Sequence, residues 1–453
     1  MTDHALGTRP IGRRALLRAG AALAATVALP MARGGADGAA VQPWSSRPLA
    51  ALPLAPAKVS PRELAMDEAF WAQVGTRFDR TAGVTNLEHG YWGRMANPVR
   101  ERYVEGVAMV DRQSAFYARK DYGADHRYAV EQIAATLGAQ PDEIAITRNA
   151  TESIHNLLRQ HRGLAAGDTI LIADADYPAF KRFIGGFAAQ RGLRVVALTL
   201  PERANLAQVE ALYREAMARE KRLKLVLLTD VSNQHGLRVP VAAITAAARE
   251  RGADVICDAA QSWGLVDLRV DDLGVDLAAF NLHKWMGAPL GTGVLYIRRG
   301  SLDRIAPYPG DSDDGPNRIA RRVHSGTGNF AAVLAIPAAL EFHNALGGAN
   351  KEARLRYLRS LWTEPAQAMN HVEVLGGTEE SAWSGLGSFR LAGRTSRKDV
   401  MALQQRLEQQ HRIFTVARYG LDGGACIRIT PQVYTARTEV ERLVDALDAL
   451  RTA

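Results

Sequence analysis

Two charged residues close apolar runs in this chain, twenty-six positions apart. Asp258 ends Val255-Ile256-Cys257-Asp258, and Lys284 lies in Asn281-Leu282-His283-Lys284-Trp285-Met286-Gly287. A lysine amine forms an imine with an aldehyde. A carboxylate against a pyridine nitrogen keeps that ring protonated, so it accepts electrons from a substrate carbanion. The pair therefore supplies the two charges that a pyridoxal phosphate site requires. Each residue also has a plainer reading: Asp258 as the cap of a turn, Lys284 as a solvated lysine on a glycine-rich turn. Lys284, however, follows the apolar Leu277–Phe280 and is bracketed by Gly287, Gly291 and Gly293. Desolvation lowers a lysine's pKa and makes it a nucleophile.

Other polar residues stand where strands end. Asn149-Ala150-Thr151-Glu152 follows a strand-like run and opens a helix. Asn149 can cap that helix, and Glu152 completes a capping box. The unpaired N–H groups of a helix start suit a phosphate, although most capping boxes bind nothing. Gln261, one turn after Asp258, could donate to a ring oxygen, and so could Asn233 in Asp230-Val231-Ser232-Asn233. Taken singly, each is an ordinary turn residue.

The elements that must hold these residues alternate. Val130, Ile133 and Leu137 share a helical face that Gly138 ends. Strand-like runs follow at Asp142–Thr147, Asp168–Ala173, Arg194–Leu200, Lys224–Thr229, Asp254–Cys257 and Gly293–Ile297. Amphipathic stretches such as Gln208–Glu220 and Val241–Arg251 separate several of them. This pattern predicts an α/β fold with a mostly parallel sheet covered on both faces, and ligands at the carboxyl ends of its strands. After about residue 325 the pattern changes. Ala335–Leu346, Gly385–Leu391, Lys398–Gln409, Cys426–Thr430 and Thr438–Ala449 suggest a smaller α+β domain. The expected division is 61–325 for an N-terminal segment plus large domain and 326–453 for the small one.

Asp-Ala-Ala-Gln at 258–261 and Asn-Leu-His-Lys-Trp at 281–285, in that order, resemble the class V aminotransferase group of fold-type-I pyridoxal phosphate enzymes. That group includes cysteine desulfurases, kynureninases and isopenicillin N epimerase-like proteins. The resemblance covers about residues 80–450. It implies that Lys284 holds the cofactor as a Schiff base and that Asp258 pairs with the ring nitrogen. It places Gln261 and Asn233 on the ring-hydroxyl side. It gives the phosphate to Ala150, Thr151 and His283, and stacks Tyr177 on the ring. Thr327, in Ser325-Gly326-Thr327, matches a segment that reaches the neighbouring subunit's phosphate, so the implied active unit is a homodimer. Arg428 matches the arginine that grips the substrate α-carboxylate, and Arg418 is a second candidate. The planar fork of a guanidinium suits that task. Asn86–Gly93 resembles the substrate-side loop of the epimerase-like branch.

Two departures matter. Asn281 stands where many desulfurases carry a phosphate-binding serine, and must replace or omit that contact. The stretch Tyr419–Ala425, where a desulfurase carries its catalytic cysteine, has none. Cys257 and Cys426 both lie in apolar, strand-like surroundings, without zinc-ligand spacing. These features argue against persulfide-forming desulfuration and against a metal.

The chain has 453 residues, 47% hydrophobic and 23% charged, enough for a large core. Its net charge is +8, of which residues 1–40 supply +3, from five arginines against Asp3 and Asp37. Without a long basic run or a basic-aromatic stripe, nucleic acid is not an expected partner. Gly12-Arg13-Arg14-Ala15-Leu16-Leu17-Arg18 opens an apolar stretch from Ala21 to Ala32, too short for a stable membrane anchor. A basic start, an apolar middle and small residues near Ala32 read as an export signal over 1–40. The paired arginines point to the twin-arginine machinery and the periplasm. Cleavage near Ala32 or near Ala40 fits equally. Residues 41–60 read as a linker.

The expected activity is amino-group transfer on a small or peptidic amino substrate. Epimerisation and C–S or β-lysis use the same residues and stay open. So does a periplasmic scaffold that binds without turnover, although the intact Lys284, Asp258 and Arg428 argue against it. Export plus family also resembles periplasmic enzymes that tailor peptide siderophores such as pyoverdine.

Overall fold

Within the central strands, alternate residues pack into two different cores. Leu225 and Leu227 face one and Val226 and Leu228 the other; Ile256 opposes Val255 and Cys257; Leu277 and Ala279 oppose Ala278 and Phe280. Side chains leave a strand alternately on its two faces, so a strand covered on both sides reads as an unbroken apolar run. A computed structural model describes residues 42–50, 52–315 and 317–452. The expected signal at 1–40 lies outside them.

The strands are β1 (Ile144–Thr147), β2 (Thr169–Ala173), β3 (Arg194–Leu198), β4 (Leu223–Thr229), β5 (Asp254–Asp258), β6 (Leu277–Asn281) and β7 (Gly293–Ile297). They form one seven-stranded sheet in the order β1-β7-β6-β5-β4-β2-β3. All neighbouring pairs are parallel except the two that β7 makes, with β1 and β6. The expected mostly parallel α/β sheet is present. β6 went unassigned in the sequence because Leu-Ala-Ala-Phe-Asn carries no alternation, which is how a strand buried on both faces must look.

A second, five-stranded sheet contains β8 (Val372–Gly377), β9 (Gly387–Leu391), β10 (Val416–Leu421) and β11 (Gly424–Ile429), with Arg203–Ala204 at its edge. Its core gathers Leu358, Trp362, Phe389, Ile427, Leu443 and Leu447, together with Leu87 from far upstream. Leu87 belongs there because Thr85–Asn86 pairs in parallel with Ile413–Phe414, and Glu88 bridges to Thr430. The Asn86–Gly93 segment, grouped by sequence with the large domain, is thus stitched to the small sheet and spans the space between the two sheets.

Two expectations change. Residues 43–50 were expected as linker, but Ser45 donates from its N–H (2.8 Å) and hydroxyl (2.6 Å) to buried Asp125, and Leu49 N–H donates to Glu341 at 3.1 Å. Paired backbone groups tie this stretch to the body. The helix Gly348–Gln367 was not anticipated: Lys351, Arg354 and Arg359 are buried within it, and Pro365 lies in its last turn. Buried charges hide the apolar stripe that marks a helix in sequence. Among the described residues no single helix is long and apolar enough to cross a membrane.

Candidate active site

The carboxyl ends of β4, β5 and β6 open onto a cavity of about 970 Å³. Ala150, Thr151, Tyr177, Asn233, Asp258, Gln261, His283, Lys284, Arg418 and Arg428 all line it. The fold therefore brings together every site residue expected from sequence except Thr327. That residue is exposed and lies outside the lining.

Asp258 ends β5 and is buried; its Oδ1 accepts from Ala260 N–H at 3.0 Å. Burial pushes its carboxyl up to about 6, against the pull of that N–H and of Lys284. Asp176 is buried nearby, accepting from Ala173 N–H and Thr229 Oγ1, each at 2.7 Å. Burial pushes it up to about 7, and the charge of Asp258 adds to the effect.

Lys284 sits three residues past β6, where the chain turns back toward β7. Burial pushes its amine down to about 8; Asp258 opposes that, while Arg428 and Arg418 reinforce it. Its backbone is gripped from across the cavity. Gly93 N–H donates to His283 O at 2.8 Å, and a Cβ on Gly93 would lie 1.8 Å from Lys284 O. Only glycine admits so close an approach. His283 Nδ1 pairs with Thr292 O at 2.8 Å, and burial holds the ring down to about 4, so it is neutral near pH 7. The Trp285 indole N–H donates to Gln261 Oε1 at 2.9 Å. Lys351 Nζ, itself buried, donates to Trp285 O at 3.0 Å.

Three expected ligands already have partners. Ala150 N–H donates to Asn281 Oδ1 at 2.9 Å. The residue in the serine position thus takes up a backbone donor that the resemblance assigned to phosphate, because its own buried carbonyl needs one. Gln261 Nε2 donates to Gly90 O at 2.9 Å, so its amide bridges Gly90 and Trp285. Arg428 Nη1 donates to Asn233 O at 3.0 Å, and its Nη2 to Glu88 Oε1 at 2.5 Å. Glu88 was not singled out in the sequence. The signal was there: an acidic residue inside a segment matched to the substrate side of the site.

The remaining groups fit pyridoxal phosphate. A protonated ring nitrogen would supply the cation that Asp258 lacks. Asn233 Oδ1 is buried with no partner among the described residues, and its amide can present either end to a ligand. Ala150–Arg159 is a ten-residue helix whose start faces the cavity; Asn149 caps Glu152 N–H at 2.9 Å, leaving Thr151 toward a phosphate. Tyr177 stands at the cavity wall as the residue before helix Pro178–Arg191.

A titration follows. The rate at which the protein without cofactor captures pyridoxal phosphate should track the neutral form of Lys284. It should rise tenfold per pH unit and level off above about 8, because burial lowers the amine. A stopped-flow pH series checks this; a rise that continues toward about 10, as for an unperturbed lysine, would contradict it.

Comparison with known proteins agrees with this geometry. The family model described as "Aminotransferase class-V" matches residues 95–443. The chain is 28% identical to an isopenicillin N epimerase of Amycolatopsis lactamdurans over 398 residues, 84% of this chain and 98% of that protein. It is 30% identical to a probable cysteine desulfurase of Vibrio cholerae over 339 residues, 70% of this chain and 81% of that one. Among solved structures it is similar to the cystine C-S lyase C-DES in complex with cysteine persulfide (TM-score 0.71, 25% identity, 81% of this chain and 97% of that chain). It is also similar in fold to a cysteine desulfurase of Thermococcus onnurineus (TM-score 0.71, 22% identity, 84% and 98% covered). With Lys284 and Asp258 converging on one cavity at the ends of a mostly parallel sheet, the chain belongs to the class V aminotransferase family, fold-type-I enzymes that use pyridoxal phosphate.

Proposed function

We propose that the protein transfers the amino group of an amino acid or peptidic amine in the periplasm, after export by the twin-arginine route. The observation that carries this reading is the convergence of Lys284, Asp258, Arg418 and Arg428 on one cavity. Pyridoxal phosphate supplies an aldehyde that takes up the substrate amine and a ring that stores an electron pair. The chain's own residues do the rest. Lys284, with its lowered pKa, would take the proton from the substrate α-carbon; amino transfer requires that it deliver the proton away from that carbon, whereas return to the α-carbon would give epimerisation. Asp258 would pair with the ring nitrogen and hold a proton there. Arg428 and Arg418 orient the acyl end of the substrate, and Tyr177 covers the ring. Tyr91, Trp92 and Leu290 expose large apolar surfaces at the cavity rim. That patch favours a homodimer closing over the site, with Thr327 reaching the neighbour. Export and a peptidic substrate together make siderophore tailoring a coherent setting.

The thiols separate this reading from persulfide chemistry. Cys257 and Cys426 are fully buried, and burial pushes the Cys426 thiol up to about 12. Neither is available as a thiolate nucleophile. Epimerisation remains the second reading, because the relatives at 28% identity are isopenicillin N epimerases. Product analysis of the purified enzyme with an amine panel tests both. Amino transfer should yield a carbonyl product and an aminated acceptor, and the Cys257→Ala/Cys426→Ala double variant should retain turnover within a few-fold. An inverted amine without carbonyl product would favour epimerisation. Sulfide lost in the double variant would restore desulfuration, and binding without product would favour a scaffold.

A further inference from the structure

The buried partner of Arg428 carries an inference about substrate class, which rests on the amine-processing reading above. Glu88 Oε1 accepts from Arg428 Nη2 at 2.5 Å, and Arg418 Nη2 lies 3.7 Å from the same oxygen. Glu88 Oε2 is 3.4 Å from Thr430 Oγ1. Side-chain exposure is 8% for Glu88, 1% for Arg428 and 22% for Arg418. Backbone geometry fixes this carboxylate in place. Glu88 N–H donates to Asn86 Oδ1 at 2.9 Å, Thr430 Oγ1 accepts from His89 and Gly90 N–H at 2.8 and 3.1 Å, and Gly90 O accepts from Gln261. At Gly90 a Cβ would lie 2.8 Å from Arg428 Nη2, so the loop lies directly on the guanidinium.

The fork that a free α-carboxylate would need is therefore taken. Arg428 Nη1 is on Asn233 O and Nη2 on Glu88; the Nε groups of Arg428 and Arg418 are buried without a partner among the described residues. An arriving carboxylate would lose bidentate pairing with Arg428 and would meet the charge of Glu88. An amide meets neither penalty. Its carbonyl accepts from the free guanidinium N–H groups, and its N–H donates to Glu88.

We propose that Glu88 makes this site select amines whose α-carboxyl is amidated, such as the N-terminal residue of a peptide, with Arg428 and Arg418 on the amide oxygen and Glu88 on the amide N–H. Removing a substrate-binding charge in this way shifts preference rather than abolishing chemistry, because selectivity is a difference of two affinities.

The test is a spectral titration of the cofactor-loaded enzyme with matched sets of free amino acid, amino acid amide and dipeptide, across acidic, basic and apolar side chains. The parent should bind amides and dipeptides at least about tenfold more tightly than the free acids, the scale of one charge-assisted hydrogen bond. In Glu88→Gln the ratio should fall about tenfold or more, through tighter free acids and weaker amides. Cofactor absorbance before amine addition and the thermal midpoint report whether the variant is folded and loaded, and Glu88→Asp serves as the charge-retaining control. A parent that binds free acids as well as amides, amides that leave the spectrum unchanged, or an unaltered ratio in Glu88→Gln would overturn the proposal alone. Absence of cofactor absorbance in the parent would overturn the reading beneath it as well.

Discussion

Replacing Lys284 with alanine should lower turnover by about 10³–10⁴-fold, the upper part of the range for a positioned proton-transfer group. Two functions are lost at once. Among the described residues Lys284 is the one lysine in the cavity lining, so no other amine among them is placed to anchor the cofactor aldehyde. In the proposed function it is also the base, its pKa brought down to about 8 by burial, close to the working pH at which such a group is most effective. The fold should survive, because alanine fills less space and removes a desolvated amine. Steady-state rates, with circular dichroism as the folding control, check this. A variant within tenfold of the parent would remove Lys284 from the chemistry.

Asp258→Asn should cost about 10²–10⁴-fold in turnover. Losing one member of a buried charge pair costs roughly 3–5 kcal/mol, and each 1.36 kcal/mol is tenfold in rate. The geometry makes the substitution clean. Asn keeps an acceptor for Ala260 N–H, which now lies 3.0 Å from Asp258 Oδ1, and changes only the charge. A second readout separates this from simple misfolding. Asp258 is the largest influence that raises the Lys284 pKa against burial. Without that negative charge the amine should titrate lower still, so the plateau of cofactor capture should begin below about 8. A variant with an unmoved profile and near-normal turnover would show that Asp258 is a structural cap.

How far these residues could be read from sequence depended on burial and on distance along the chain. Asp258 and Lys284 were legible because Asp258 ends a strand, Lys284 follows the apolar run Leu277–Phe280, and the order of motifs around them is specific. Four of the parallel strands and several helices of the large domain followed from the same kind of pattern. β6 carried no alternation, although it delivers Lys284. The helix Gly348–Gln367 was masked by buried Lys351, Arg354 and Arg359. The partner choices were less legible still. Nothing local in Asn281 says that it faces Ala150, 131 positions away, or in Glu88 that it faces Arg428, 340 positions away. Such pairs are set by which loops the two sheets bring together, and local pattern does not encode that. The same holds for residues 43–50, whose composition resembled a linker while their hydrogen bonds hold them to the body.

Everything proposed for this site depends on Lys284 carrying the cofactor. The most direct test is to load the protein with pyridoxal phosphate, reduce it with borohydride and locate the fixed pyridoxyl group by peptide mass spectrometry. A single modified peptide is expected, with the group on Lys284, and no label after Lys284→Ala. A label on another lysine, such as the buried Lys351 behind Trp285, or no label on a protein that still turns over substrate, would contradict it.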